Sequence, residues 1–117
     1  HKQVLVSDEL IRGMYITKFP GGGLELGEGT RDCLKREFME EMNLNVEIGE
    51  HIYTTDFYQM SAFNNAQQII SIYYFAKALE PIKAPLRNTA FDWEIFSDAV
   101  VTLPIDKIVA AMLKEKY

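Results

Sequence analysis

The stretch GGGLELGEGTRDCLKREFMEEMNL, Gly21 to Leu44, decides how this chain folds. Three consecutive glycines lead into a run with the marks of a helix. Thr30 is the predicted N-cap, and Asp32 lies in the first turn, where a negative charge meets the helix dipole favourably. The helix is predicted from about Arg31 to Met42. Asn43 follows at the position where a helix commonly ends in a left-handed residue, a conformation Asn tolerates second only to Gly. Because a helix turns by ~100° per residue, Glu37, Glu40 and Glu41 share one arc, while Leu34, Phe38 and Met42 fall on another. The apolar arc is suited to burial against a sheet, and the carboxylates then face a solvent cleft.

That arrangement raises a question of charge. Glu37 and Glu41 form a like-charge i, i+4 pair, which costs about 0.2–0.5 kcal/mol on an open helix. A hard divalent cation would offset the repulsion, since Mg²⁺ and Mn²⁺ prefer carboxylate oxygens and keep positions open for water and phosphate. Solvated glutamates on a helix face, eased by the Arg36 to Glu40 spacing, are the alternative, and the helix alone leaves both open. The glycines before it tilt the balance, because they let backbone approach a ligand closely. The loop is not a Walker phosphate loop, lacking its Lys followed by Ser or Thr, and not a calcium EF-hand loop.

Outward from this stretch, Gln3 to Ser7 and Met14 to Phe19 read as strands separated by a polar turn at Asp8 to Gly13, and Pro20 with the glycines stops the second. Asn45 to Phe57 is predicted as one or two strands. Gln67 to Ala78 is the strongest strand signal, with Ile69 to Phe75 apolar enough for a strand covered on both sides. Phe91 to Phe96 reads as a last strand. Pro104 opens a closing helix with Ile105, Ile108, Val109 and Met112 at helical spacing. Strands mixed with two helices, without repeats or a linker, imply one layered α+β domain over residues 1–117.

Composition bounds the function. A chain of 117 residues, 48% hydrophobic, is long enough for a single core. Its net charge of −5 argues against a nucleic-acid or anionic-membrane binder. The lone Cys33 excludes an internal disulfide and favours a reducing compartment. No apolar run reaches the ~18 residues of a membrane span, and no leader resembles a signal peptide. The chain opens at His1 rather than Met, which suggests missing N-terminal residues.

The order of residues from Gly22 resembles the Nudix box. Five residues separate Gly22 from Glu28, and seven more lead to Arg36-Glu37. Phe38, any residue, Glu40-Glu41, any residue, Asn43 and Leu44 follow. Pro20-Gly21-Gly22 and Gly27-Glu28 also match the family. The one departure is Asn43 for the final Gly, a substitution suited to a helix end. Such a coincidence would arise by chance about once in ten million starts, so the signal is specific.

The resemblance implies a Nudix-type fold, an α/β/α sandwich around a central mixed sheet. It also implies a cytoplasmic hydrolase, dependent on Mg²⁺ or Mn²⁺, that cleaves the diphosphate of a nucleoside diphosphate derivative such as ADP-ribose or a nucleotide sugar. A nucleoside triphosphate pyrophosphatase and a non-catalytic nucleotide sensor are the alternatives. By position, Glu40 and Glu41 would be the principal metal ligands and Glu37 a further ligand or the general base. Arg36 would orient these carboxylates, and Glu28 would hold the loop or reach a second metal through water. Gly22 and Gly23 would let the loop pass near metal and phosphates. The expected partner is a small nucleotide, with no nucleic acid or membrane, and dimers are frequent in the family.

Other residues are read more plainly. Cys33 is expected to be packed rather than nucleophilic, and His1 and His51 are read as structural or surface groups. Glu25 and Glu47 lie outside the pattern and read as solvated. Asp92 and Glu94 flank Trp93 where some family members supply an extra acid, but Trp93 reads first as a core or sheet residue. Phe57, Tyr58 and Phe63 offer rings for stacking on a base or ribose, with ordinary packing favoured.

Overall fold

The computed structural model describes residues 3–61, 64, 66–83 and 88–117. In chain order these form strands β1 (Gln3–Ile11) and β2 (Met14–Lys18), helix α1 (Thr30–Met42), strands β3 (Val46–Thr54), β4 (Ile72–Ala78) and β5 (Asn88–Asp92), and helix α2 (Pro104–Lys116). The chain divides into two compact units, His1–Gly21 with Lys83–Tyr117, and Gly22–Ile82. Helices with antiparallel sheets make the class α+β, as the pattern of the sequence implied. Among the described residues, no helix is long and apolar enough to cross a membrane.

In the first unit, β1 pairs antiparallel with β2 on one side and β5 on the other. The polar segment from Asp8 is strand rather than turn. Its charges are satisfied across the hairpin, where Thr17 Oγ1 donates to Asp8 Oδ1 at 2.6 Å and Lys18 Nζ meets Glu9 at 3.5 Å. The turn shrinks to Arg12 and Gly13, with φ of 50° and 80°, the signs that a tight two-residue hairpin with strand-compatible twist requires.

Val6, Phe96, Val101 and Ala110 form the core of this unit, with Phe19, Phe91 and Trp93 packed around them. Full burial of a side chain such as Val6 or Phe96 contributes about 1.5–3 kcal/mol. The last strand ends at Asp92, earlier than the pattern suggested, and Trp93 sits in the following turn, stacked on Phe96 at 6.3 Å between ring centroids. Helix α2 begins at Pro104 as expected, but its buried face is Ile105, Asp106, Val109, Ala110 and Leu113, and Ile108 is exposed. Asp106 is drawn onto that face because its carboxylate accepts the Phe19 N–H.

In the second unit, β3 and β4 form a two-stranded antiparallel sheet with register shifts near His51. The apolar run Ile69 to Phe75 is not covered on both faces. Ile69, Ile70 and Ile72 are exposed, and β4 starts only at Ile72. The residues before it pair irregularly with the preceding segment, Ile69 N–H reaching the Gln59 carbonyl at 2.8 Å and Thr55 N–H the Ser71 carbonyl at 3.0 Å. Contacts at the N-terminal end of α1 hold the helix to this sheet. Thr30 Oγ1 bonds Tyr74 Oη at 2.8 Å, and Arg31 donates to the Ile48 and Gly49 carbonyls at 3.0 and 2.7 Å while lying over the Tyr74 ring.

Candidate functional site

The loop before α1 is shaped by one tight turn. Glu28 N–H bonds the Glu25 carbonyl at 3.3 Å, and Gly27 supplies the positive φ, 93°, that the third position of such a turn demands. The Glu28 carboxylate turns back to accept the Glu25 N–H at 2.9 Å. The helix cap falls on Gly29, not Thr30, because the Thr30 hydroxyl is committed to Tyr74. At the far end Asn43 is left-handed, with φ 48° and ψ 43°, and its N–H closes onto the Met39 carbonyl at 3.0 Å. Phe38 and Met42 are buried and Leu34 is half-buried, leaving the carboxylate arc outward.

Arg36 organises the site. Its Nε and Nη2 form a two-pronged pair with Glu28, at 2.9 and 2.7 Å, and Nη2 also donates to the Gly23 carbonyl at 3.0 Å. Its Nη1 donates to Glu37 Oε1 at 2.9 Å and to Glu40 Oε2 at 3.1 Å, with Glu25 at 3.6 Å. Glu25, read from the sequence as solvated, therefore joins this network. The Glu28 and Glu37 side chains are only 14% and 15% exposed, whereas Glu40 is 58% exposed and Glu41 is also exposed.

The electrostatics follow from these contacts. Hydrogen bonding to Arg36, reinforced by the Glu25 N–H, lowers the Glu28 carboxyl from its ordinary 4.5 to about 2. The same pairing, with Glu40 adding to it, raises Arg36 well above its ordinary value. One guanidinium faces four carboxylates, so the cluster keeps a net negative charge.

Gly22 completes the arrangement. A Cβ at this position would overlap the Glu37 carboxylate, so the missing side chain is the space that the carboxylate occupies. Cys33 is packed, its thiol directed at the Gly22 and Gly23 carbonyls at 3.9 and 3.6 Å, and burial pushes its pKa up, with Glu28 adding to the effect. This is the environment of a structural thiol, not an activated one.

Among the described residues, no three His, Cys, Asp or Glu side chains stand together as a ready-made metal site. Glu28, Glu37 and Glu40 instead gather on the Arg36 guanidinium. The donor chemistry nonetheless fits a hard divalent cation, since the groups are carboxylates with excess negative charge and two are exposed.

The remaining candidates lie elsewhere. Phe57 is 46% exposed and Tyr58 is 72% exposed, so the packing favoured from the sequence does not hold for them. They follow β3 in an irregular segment. Phe63 and His1 lie outside the described residues. Asp92 accepts a hydrogen bond from Gln3 at 3.1 Å, and Glu94 is exposed. His51, exposed, pairs with Thr54 and packs edge-on to Tyr74. Sequence reasoning missed Gly29 as the cap and Tyr74 as the anchor of α1. The second had no local signal, because Tyr74 lies 44 residues from Thr30.

Comparison with known proteins bears on the identity of this loop and helix. The family profile for the NUDIX domain matches residues 2–115. No curated protein sequence matches the chain. Among solved structures, a NUDIX hydrolase from Nitrosomonas europaea is similar with a TM-score of 0.72 at 21% identity, covering 99% of this chain and 65% of that one. The E. coli ORF135 protein is similar with a TM-score of 0.75 at 17% identity, covering 97% of this chain and 82% of that one. This chain thus spans about two thirds of the Nitrosomonas protein, and at these identities the likeness is one of fold. The profile, matching nearly end to end and enclosing the whole loop and helix just described, decides the family: the chain belongs to the NUDIX domain family.

Proposed function

We propose that the chain is a divalent-metal-dependent pyrophosphohydrolase that cleaves the diphosphate linkage of a nucleoside diphosphate derivative, such as ADP-ribose or a nucleotide sugar. The observation that carries this reading is the pairing of Gly22 with Glu37 in a chain of this family. The loop gives up a side chain to admit one carboxylate, while Glu40 and Glu41 stay exposed on the same helix. We read residues 1–117 as one domain, because the family profile spans both compact units.

Each residue then has a task. Glu40 and Glu41 would hold the cation, Mg²⁺ or Mn²⁺, with Glu37 as a further ligand or as the base, and when bound it would neutralise charge on the diphosphate oxygens. Arg36 fixes the direction of Glu37, and Glu28 anchors Arg36 to the loop. A water oxygen bonds to one phosphorus, the bond from that phosphorus to the bridging oxygen breaks, and the second phosphoryl group departs with that oxygen. The water's proton passes to a carboxylate, for which Glu37 is suited by its restricted setting. Gly22 and Gly23 keep side chains away from the phosphates, and the exposed rings of Phe57 and Tyr58 stack on the base or ribose. A cytoplasmic setting, a homodimer and the absence of nucleic-acid or membrane partners belong to the same proposal, the last supported by the net charge of −5.

The test is product release with Mg²⁺ against ADP-ribose, nucleotide sugars, dinucleoside polyphosphates and nucleoside triphosphates, with Glu41→Gln alongside. Turnover of a diphosphate derivative that falls at least about 100-fold in Glu41→Gln supports the reading. Turnover confined to triphosphates moves the assignment to a triphosphate pyrophosphatase. Nucleotide binding without cleavage moves it to a sensor.

A further inference from the structure

Within the unit Gly22–Ile82, the first turn of α1 rests on Tyr74 of β4. The Tyr74 ring lies under the Arg31 guanidinium, 4.7 Å from its centroid, and the Tyr74 hydroxyl shares a 2.8 Å hydrogen bond with the hydroxyl of Thr30. Strand β3 is irregular opposite this point. Its register shifts between Ile48 and His51, and the Ile48 and Gly49 carbonyls both accept from Arg31 Nη1. The two grips do different work. Arg31 reaches the sheet on a long side chain with several rotatable bonds, which holds the helix down but lets it turn about its axis. Thr30 carries its hydroxyl directly on Cβ, so a bond to it fixes the rotation as well. The cap residue Gly29 has no side chain to share this task.

Rotation matters because of where Thr30 stands on the helix. Seven residues make ~700° of α-helix, so Glu37 falls within about 20° of Thr30 around the axis of α1. The carboxylate on that line has little room. A Cβ at Gly22 would overlap the whole of it, and Arg36 Nη1 donates to its Oε1 at 2.9 Å. At the roughly 5–6 Å radius that helical side chains reach, a turn of about 10° carries a side-chain end by about 1 Å. We propose that Tyr74 is a positioning residue for the reaction: its hydroxyl, through Thr30, pins the rotation of α1 that seats Glu37 against the bare Gly22. This rests on the reading of Glu37 as a working carboxylate. Tyr74 acts through the helix, two turns away from the group it places.

Tyr74→Phe removes the hydroxyl and keeps the ring under Arg31, so the helix stays docked while its rotation is released. Its kcat should fall at least about tenfold with KM within about twofold, since a displacement of about 1 Å at a reacting group costs on the order of 100-fold. The melting temperature should fall by no more than about 6 °C, the shift expected for one lost hydrogen bond. Thr30→Val should reproduce the loss of kcat, and the double variant should add nothing to it, because both changes break the same bond. Thr30→Ser keeps the hydroxyl and should keep wild-type kcat. Thr54→Val breaks a hydroxyl bond to His51 in the same sheet and serves as the control, within about twofold of wild type. A Tyr74 that only stabilises the fold gives a lower melting temperature with unchanged kcat, which would overturn the proposal, as would losses that multiply in the double variant. The ¹³C signal of the Glu37 carboxyl gives a readout independent of turnover. It should shift alike in Tyr74→Phe and Thr30→Val and hold its place in Thr30→Ser, and an unmoved signal in the first two overturns the positioning whatever the protein cleaves. If the wild type cleaves nothing, the hydrolase reading and the role of Tyr74 in the reaction fall together, whereas turnover that survives Tyr74→Phe removes the role of Tyr74 alone.

Discussion

Replacing Gly22 with alanine tests the geometry of the loop with one methyl group. Gly22 is not among the residues with positive φ, so alanine can adopt its backbone conformation without strain, and the variant probes space alone. The added Cβ would lie 2.5 Å from Glu37 Oε2, with Cδ and Oε1 nearer still, where ordinary contact begins at 3.4 Å. The carboxylate must therefore retreat by about 1 Å or more. Glu37 has the rotatable bonds to do so, but its 2.9 Å bond to Arg36 Nη1 would then exceed hydrogen-bond range. Stability changes little, since alanine in a compatible conformation gains about 0.4–1 kcal/mol from the unfolded chain and offsets the lost contact. The melting temperature should move by less than about 4 °C. Activity behaves differently, because a misplacement of about 1 Å at a reacting group costs on the order of 100-fold. The assay is kcat/KM on the substrate found in the panel, paired with a thermal melt. Gly49→Ala, where the new methyl meets nothing closer than 3.5 Å, is the control and should stay within about twofold of wild type. Wild-type kcat/KM in Gly22→Ala would refute the argument that the loop and Glu37 are fitted to each other, and so would a loss of activity that merely follows a collapse in melting temperature.

Two further outcomes follow from the ends of the same helix. Asn43→Ala should lose about 1 kcal/mol in denaturant melts and Asn43→Gly should lose nothing, because a φ of 48° strains any side chain that lacks the local bonding of Asn. Equal stability of the two variants would contradict that account. The depressed Glu28 carboxyl makes stability depend on acid: its contribution is complete above the ordinary value of 4.5 and is lost as pH falls toward about 2. Unfolding free energy measured through that window should fall in the wild type with a component that Glu28→Gln lacks, and parallel curves would show that the Arg36 pairing is not made in solution.

How far the sequence could be read depends on whether each contact is local. The arc of Glu37, Glu40 and Glu41, the left-handed Asn43 and the start of α2 at Pro104 all rest on spacings within a few residues, and each was legible. The segment from Asp8 was misread as a turn because its charges are satisfied from the opposite strand, by Thr17 and Lys18. Thr30 was misread as the cap because its hydroxyl is claimed by Tyr74, and Ile69 to Phe75 as a doubly covered strand because hydrophobicity carries no information about where pairing begins. The candidate site divides the same way. The spacing of Arg36 and Glu40 announces their pair, but nothing in it announces Glu28, brought to the guanidinium by a turn that depends on Gly27. Spacing alone thus shows the exposed Glu40 pair and not the shorter fork to Glu28, whose part in holding the loop entered only through the family resemblance. It follows that the glycines and the glutamates are one device. The turn at Gly27 delivers Glu28 to Arg36, the clamp sets where Nη1 can reach, and the bare Gly22 leaves the space that the Glu37 carboxylate fills.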